Sequence, residues 1–327
     1  MQKSSVSIAL VGGGYWGRNL GRNFAELGAL GAIVDTNPET AGALSAATGA
    51  PVRPFADVLA DPSVAGVAIA TPAPTHADIA ARAIAAGKHV FVEKPISLTL
   101  DDADRLIALA VSAGRVLMVG HLLRYHPHFI TLKRQVEEGV IGRPLYIHSN
   151  RLSLGKVRTE ENVLWSFAPH DVSMLLASAG VQPSRVTAQG SAFVTPGVAD
   201  WCTAQLVFPG GVRGHIQASW MHHVKEQRFS VTGETGTLVF EDSLPEWDRK
   251  LMLYPHSLDR SGPAPVPVKG APVSVSVEKS EPLKDECREF LSSIAEGRAP
   301  LTDGNEGRAV LSVLDAAERE LARSLSA

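Results

Sequence analysis

The feature that most constrains this chain is a glycine cluster, Gly12-Gly13-Gly14-Tyr15-Trp16-Gly17. It follows a short apolar run at residues 7–11 and precedes Trp16, Leu20, Phe24 and Leu27, which recur at helical spacing. A G-x-G-x-x-G pattern between a strand and a helix has a physical reading. Gly12 permits a tight turn, Gly14 lets a backbone approach a pyrophosphate, and Gly17 lets helix pack on strand. The uncapped N–H groups of such a helix then face the phosphates. A second apolar run, residues 32–35, ends in Asp35. A carboxylate there suits the two hydroxyls of a ribose and repels a 2′-phosphate. No Lys or Arg follows in Thr36-Asn37-Pro38-Glu39, so the pattern favours NAD over NADP.

The alternation continues beyond the turn. Residues 41–47 read as a weak helix, 64–70 as a strand, and 75–86 as an Ala-rich helix stopped by Gly87. Residues 89–92 read as a strand, 101–113 as a helix with acids in its first turn and Gly114 at its end, and 116–119 as a strand. This rhythm predicts a doubly wound parallel sheet, an α/β Rossmann domain, over residues 1–122. The rest, 123–327, has another pattern. Residues 145–152 read as a strand and 167–177 as a helix. Runs at 203–208 and 212–220 flank Pro209-Gly210-Gly211, and runs at 228–232 and 237–241 flank residues 233–236, giving two hairpins. The proline-bearing stretch 255–272 reads as a surface loop, and helices at 282–296 and 305–325 close the chain. The second domain is therefore expected to be α+β, with an open, mainly antiparallel sheet. An open sheet leaves an apolar face to cover, so a homodimer or homotetramer is expected.

Composition narrows the function classes. The chain has 327 residues, which suggests two domains, and a formal charge of −3. Residues 1–122 hold 9 basic and 10 acidic side chains, leaving 22 and 24 for the rest. Neither part presents the basic excess that nucleic acid or an anionic membrane requires. Cys202 and Cys287 are far apart and in no CxxC spacing, which argues against a disulfide framework and a zinc site. The start at Met1–Ser5 shows no signal-peptide plan, so a cytoplasmic enzyme of small molecules is expected. His121, His126 and His128 are close in sequence, but lack the i, i+4 pairing with a glutamate that marks a helical zinc site; no metal is expected. His222-His223 reads as a strand end.

Three more segments bear on chemistry. Thr71-Pro72-Ala73-Pro74-Thr75-His76 reads alone as a stiffened turn with Thr75 as a helix N-cap. Glu93-Lys94-Pro95 puts an acid and a lysine at the C-terminal edge of a strand, where α/β sheets bind ligands; alone, such a lysine is more often a solvated charge. His170-Asp171, alone, reads as a helix N-terminal cap. In this order, GGGYWG, Asp35, TPxPTH, EKP and then HD, the chain resembles the glucose–fructose oxidoreductase/inositol dehydrogenase/MocA family over nearly its whole length. The segments Pro282-Leu283 through Glu286 and Phe290, then Gly307, continue the likeness.

The resemblance implies an NAD-dependent dehydrogenase acting on CH–OH donors, with Lys94 catalytic and His170 beside the reacting carbon. It implies cofactor contacts from Gly12, Gly14, Tyr15, Trp16, Gly17, Asp35, Thr71, Pro72, His76, Glu93, Lys94 and Arg124. Arg124, Tyr125 and His126 follow as substrate contacts. One departure stands out: many relatives carry an Asp four residues before this His, where this chain has Ser166. A narrower resemblance, from Ser149 through Asp171, is to enzymes of nucleotide-linked sugars such as UDP-N-acetylglucosaminuronate 3-dehydrogenases, which oxidise a sugar C3 hydroxyl. It adds Arg151, Lys156, Arg158, Asn162 and Trp165 to the substrate set. The cations would meet a uronate or diphosphate, and the opposed reading is ordinary surface charge. The base is open at this point. Free lysine titrates near ~10.4, and burial beside a cationic nicotinamide lowers that; His170 starts nearer neutrality. Two other functions fit the same residues: a free-sugar or polyol dehydrogenase, and a non-catalytic NAD-binding regulator.

Overall fold

A computed structural model describes residues 6–325, so the reading of Met1–Ser5 lies outside the described residues. The first half alternates as its sequence demands. Strand β1 (Ile8–Val11) leads to helix α1 (Tyr15–Glu26), β2 (Leu30–Val34), α2 (Pro38–Thr48), α3 (Phe55–Ala60), β3 (Gly66–Ile69), α4 (His76–Ala85), β4 (His89–Glu93), α5 (Leu100–Ala113) and β5 (Leu117–Gly120). The strands form a parallel sheet in the order β2-β1-β3-β4-β5. β1, β3 and β5 are buried along their whole length, which is why they read as unbroken apolar runs. Caps fix the helix ends. Asn37 accepts from the N–H groups of Glu39 and Thr40, Thr99 accepts from Asp102, and Gly49 and Gly114 close their helices in the left-handed conformation. Thr75 precedes α4 but makes no side-chain cap; its hydroxyl donates instead to the Pro72 carbonyl.

The second half starts with α6 (Pro127–Glu137), β6 (Pro144–Leu154) and α7 (Val163–Ala179). β7 (Arg185–Ser191), β8 (Trp201–Val207), β9 (Arg213–Ser219), β10 (Met221–Gly233), β11 (Gly236–Glu241), β12 (Leu251–Asp259), β13 (Val266–Lys269) and β14 (Val273–Ser274) follow. They make one sheet, ordered β13-β12-β11-β10-β6-β9-β8-β7, with β14 on β12. Only the β6–β9 pair among these is parallel. Both expected hairpins form, β8–β9 and β10–β11. The expected loop at 255–272 does not. Part of it pairs as β12 with β13, at the edge of the sheet, where Pro267 can be accommodated because an edge strand need not donate on both sides. His170-Asp171 is not a helix start either: it lies inside α7, whose N-cap is Asn162.

Two compact units result: residues up to Tyr125 with Glu281–Leu311, and His126–Ser280 with the chain from Ser312 on. This differs from a single cut at 122. Helix α8 (Pro282–Glu296) and the first turns of α9 (Gly304–Leu325) return to the first unit. The reason is apolar burial. Phe290 of α8 stacks edge-on against Phe91, with ring centroids 5.9 Å apart, and against Phe24 at 6.5 Å; all three are fully buried. Phe290→Ala is expected to destabilise the first unit by about 3–5 kcal/mol, the usual cost of emptying a buried aromatic site. Chemical denaturation measures it, and a loss below about 1 kcal/mol would contradict this packing account.

Candidate active site

The turn after β1 has the geometry its glycines promise. A Cβ on Gly17 would lie 1.9 Å from the Gly12 carbonyl oxygen, and one on Gly12 would lie 2.8 Å from the Ala70 carbonyl. Gly14, by contrast, faces open space: a Cβ there would meet nothing within 4 Å. Gly14 is the N-cap of α1 and offers no side-chain cap, so the first N–H groups of the helix stay available to an anion. Asp35 lies beside this turn. Its Oδ2 accepts from Gly13 N at 2.6 Å and its Oδ1 from Asn37 N at 2.7 Å. These residues fit a dinucleotide: an open glycine cradle, uncapped helix donors, and a carboxylate held where β2 ends. Tyr15 is exposed and stacks loosely on Trp16, with centroids 6.5 Å apart.

The ends of β3 and β4 lie on the same sheet edge as this turn, since the strands are parallel. His76 ties them together. One ring nitrogen faces the Thr71 carbonyl and the other the Pro95 carbonyl, both at 2.8 Å. Burial lowers its proton affinity, and Lys94 adds to that, while the two carbonyls act in the opposite sense. Thr71 Oγ1 pairs with Thr75 Oγ1 at 2.7 Å, and Pro72 is exposed. Glu93 closes β4 and is buried, and the Lys94-Pro95 peptide after it is cis. Trp16 Nε1 donates to Glu93 Oε1. The Glu93 carboxyl lies over Gly120, where a Cβ would come within 2.9 Å of Oε2. Burial pushes this carboxyl up to about 7, against the pull of Lys94 and of Trp16. Lys94 itself is half-buried.

Arg124 is buried, and its Nη1 donates to Glu306 Oε1 at 3.2 Å. His121 Nδ1 meets Glu306 Oε2 at 2.5 Å, and Tyr125 Oη meets Thr302 Oγ1 at 2.8 Å. These contacts belong to the first unit, and they give Arg124 and Tyr125 structural partners.

In the second unit, Asp171 is the organising acid. It accepts from Ser149 Oγ at 2.6 Å and holds Arg151 through Nε at 2.7 Å and Nη2 at 3.1 Å. His170, the next residue back, is half-buried, and Ser166 is buried one turn earlier on the same helix face. Asn162 and Trp165 are both bound to Glu318: Asn162 Nδ2 at 2.9 Å and Trp165 Nε1 at 3.0 Å from Oε2. Arg158 pairs with Glu161 at 2.6 Å, whereas Lys156 is exposed. His126 accepts from His128 N and lies 3.4 Å from Asp242. Although burial acts to raise it, His126 and Lys250 hold the Asp242 carboxyl well below the usual range. Among the described residues, no three His, Cys, Asp or Glu are arranged to hold a metal, and Cys202 and Cys287 are buried free thiols. No helix of the described residues is long and apolar enough to cross a membrane. Glu306, Glu318 and Asp242 were not foreseeable from spacing, because each acts across more than a hundred residues of chain.

Comparison with known proteins bears on the whole chain. The profile described as "Oxidoreductase family, NAD-binding Rossmann fold" matches residues 6–121, and the GFO/IDH/MocA C-terminal domain matches residues 129–239. A UDP-N-acetylglucosamine 3-dehydrogenase of Acidithiobacillus ferrooxidans is 30% identical over 311 residues, 94% of each chain. A solved structure of that enzyme covers 100% of both chains, with a TM-score of 0.85 and 26% identity. A myo-inositol 2-dehydrogenase of Thermotoga maritima is 28% identical over 280 residues, 81% of this chain and 80% of its own.

The glycine cradle and the buried acid of the first unit can each be tested. Gly14→Ala should melt like the native protein and weaken NAD binding at least ~10-fold in calorimetric titration, about 1.4 kcal/mol; unchanged affinity would contradict the cradle. Gly17→Ala should lose the fold. Glu93 gives a pH dependence. The folded protein keeps its proton up to about 7 and the unfolded chain releases it near 4.5, so raising pH through that window costs stability. Glu93→Gln removes this cost. Its melting temperature relative to the native protein should rise between pH 5 and pH 8, and a constant difference would rule the effect out.

Proposed function

Since the chain belongs to the GFO/IDH/MocA oxidoreductase family and binds NAD, we propose that it moves a hydride between nicotinamide and C3 of a nucleotide-linked sugar or uronic acid. The observation that carries the catalytic part is Lys94. It follows a buried carboxylate at the C-terminal end of a parallel strand, on the sheet edge that also bears the glycine turn. The nucleotide-sugar part is supported by the likeness to the UDP-N-acetylglucosamine 3-dehydrogenase over 94% of each chain.

Bound NAD accepts or returns the hydride. The chain must do the rest. Gly12, Gly14 and Gly17 shape the turn that admits the pyrophosphate, and Asp35 selects the unphosphorylated ribose. Lys94 takes the hydroxyl proton, and the Glu93 carboxylate beside it stabilises the ammonium that forms. His170 is the second candidate for proton transfer, held on a helix whose next residue, Asp171, is fixed by Ser149 and Arg151. Because Arg151, Arg158 and Arg124 already have acidic partners, an anionic sugar group draws first on Lys156. Tyr125 of the first unit and His126, Asn162 and Trp165 of the second are the further substrate contacts of this reading, and each has a hydrogen-bond partner within its own unit. The reading includes a homodimer or homotetramer formed through the open face of the large sheet. Exposed Tyr146, Val224 and Tyr254 on that sheet support it.

Lys94→Ala should bind NAD normally and lose at least ~10²-fold in turnover, the scale of a general base. The assay is reduced-nicotinamide absorbance across UDP-N-acetylglucosamine, its uronate, free glucose and myo-inositol. Turnover confined to free polyols would replace the nucleotide-sugar reading with the polyol one, which the inositol-dehydrogenase likeness favours. NAD binding with no turnover on any of them would favour a regulator.

A further inference from the structure

One buried acid of the first unit is not used by this mechanism. Glu286, in α8, is 0% exposed, and neither of its carboxyl oxygens has a hydrogen-bond partner among the described residues. An unpartnered polar group in a core is costly, and a methionine of similar size would fill the space without that cost. Its surroundings are specific. Glu93 of β4 and Glu306 of α9 act on it electrostatically, and it acts in turn on Tyr125 and on its neighbour Cys287. Burial first, then Glu93 and Glu306, push the Glu286 carboxyl well above its usual range, so it stays a neutral acid with an O–H to donate.

The packing brings two of these acids together: Glu286 lies one helical turn before Phe290, Glu93 lies two residues after Phe91 on the same strand face, and those two rings are 5.9 Å apart. The neighbouring carboxyls differ as acceptors. Both oxygens of Glu306 are taken, one by His121 and one by Arg124. Glu93 takes Trp16 on Oε1 and also accepts from the Lys94 backbone N–H, so its carboxylate already gathers donors, and Oε2 is the oxygen nearer Gly120. We propose that Glu286 is a positioning residue of the reaction: as the Glu93 carboxyl ionises and turns toward it, the acid O–H of Glu286 donates to that carboxylate and so maintains the counter-charge beside Lys94. The proton stays on Glu286 throughout. Lys94 alone gains and loses one during turnover. The absence of a side chain at Gly120 leaves the Glu93 carboxyl room to turn toward either partner. The inference rests on the dehydrogenase reading only in taking Lys94 as the base, and its test needs no sugar.

The test is the pH dependence of Lys94 acylation by N-hydroxysuccinimidyl acetate in the NAD-loaded protein, read by peptide mass spectrometry. Glu286→Met removes the donor, so Glu93 ionises less readily and the Lys94 ammonium loses support. The midpoint of acylation should then fall by about one pH unit, the scale of a lost charge-assisted hydrogen bond. Glu286→Gln keeps an N–H donor and should restore most of the shift. An unchanged midpoint in Glu286→Met would make Glu286 core filling and overturn the proposal, as would a Gln variant displaced as far as the Met one. Infrared spectroscopy of the native protein does not depend on the Met variant folding. The carboxylic-acid stretch that Glu286→Gln abolishes should move to lower frequency as Glu93 ionises. A stretch that stays fixed between pH 5 and pH 9 would also overturn the proposal.

Discussion

A carboxylate buried at the end of a parallel strand is the constraint around which the first unit is built. Glu93 sits where β4 leaves the sheet, and burial alone would keep it neutral. The neighbourhood answers that pressure from several elements. The first turn of α1 sends Trp16 to it, β5 gives up a side chain at Gly120 to make room, and the chain continues directly into Lys94. The same α1 turn carries the glycines, so the glycine cradle and the strand end that bears Lys94 are joined through one hydrogen bond rather than placed independently. His76 adds a second tie, between the turn after β3 and the one after Glu93.

What the sequence made legible is local. The fully buried strands of the first sheet, the glycine turn, the Gly114 cap and the helix Pro282–Glu296 all follow from periodicity and stop signals within a dozen residues. The hairpins around Pro209 and Gly233 follow from turn chemistry. What escaped is long-range. Nothing in the spacing of α8 says that Phe290 completes the core of a sheet some two hundred residues earlier, and so a single domain cut near 122 missed the return of the chain. The prolines of 255–272 signalled a loop. A strand at a sheet edge tolerates them, and that edge was invisible without its partners.

The candidate site divides the same way. Motifs marked Gly14, Asp35, Lys94 and His170, but the side chains that hold the site in shape carry no motif. By its spacing alone Asp171 reads as half of a cap; in the fold it neutralises Arg151. The basic residues that looked like a convergent anion site are mostly paired within their own units: Arg124 with Glu306, Arg158 with Glu161. Of that set, Arg124, Arg151 and Arg158 are paired with acids, and Lys156 is the exposed member.

The central claim is that a hydride leaves a sugar carbon for the nicotinamide of NAD. UDP-N-acetylglucosamine bearing deuterium at C3 tests it directly when the reduced cofactor is isolated and weighed. The predicted result is reduced nicotinamide carrying one deuterium, formed together with a 3-keto sugar. Reduced cofactor without the label, or none formed at all, would contradict it.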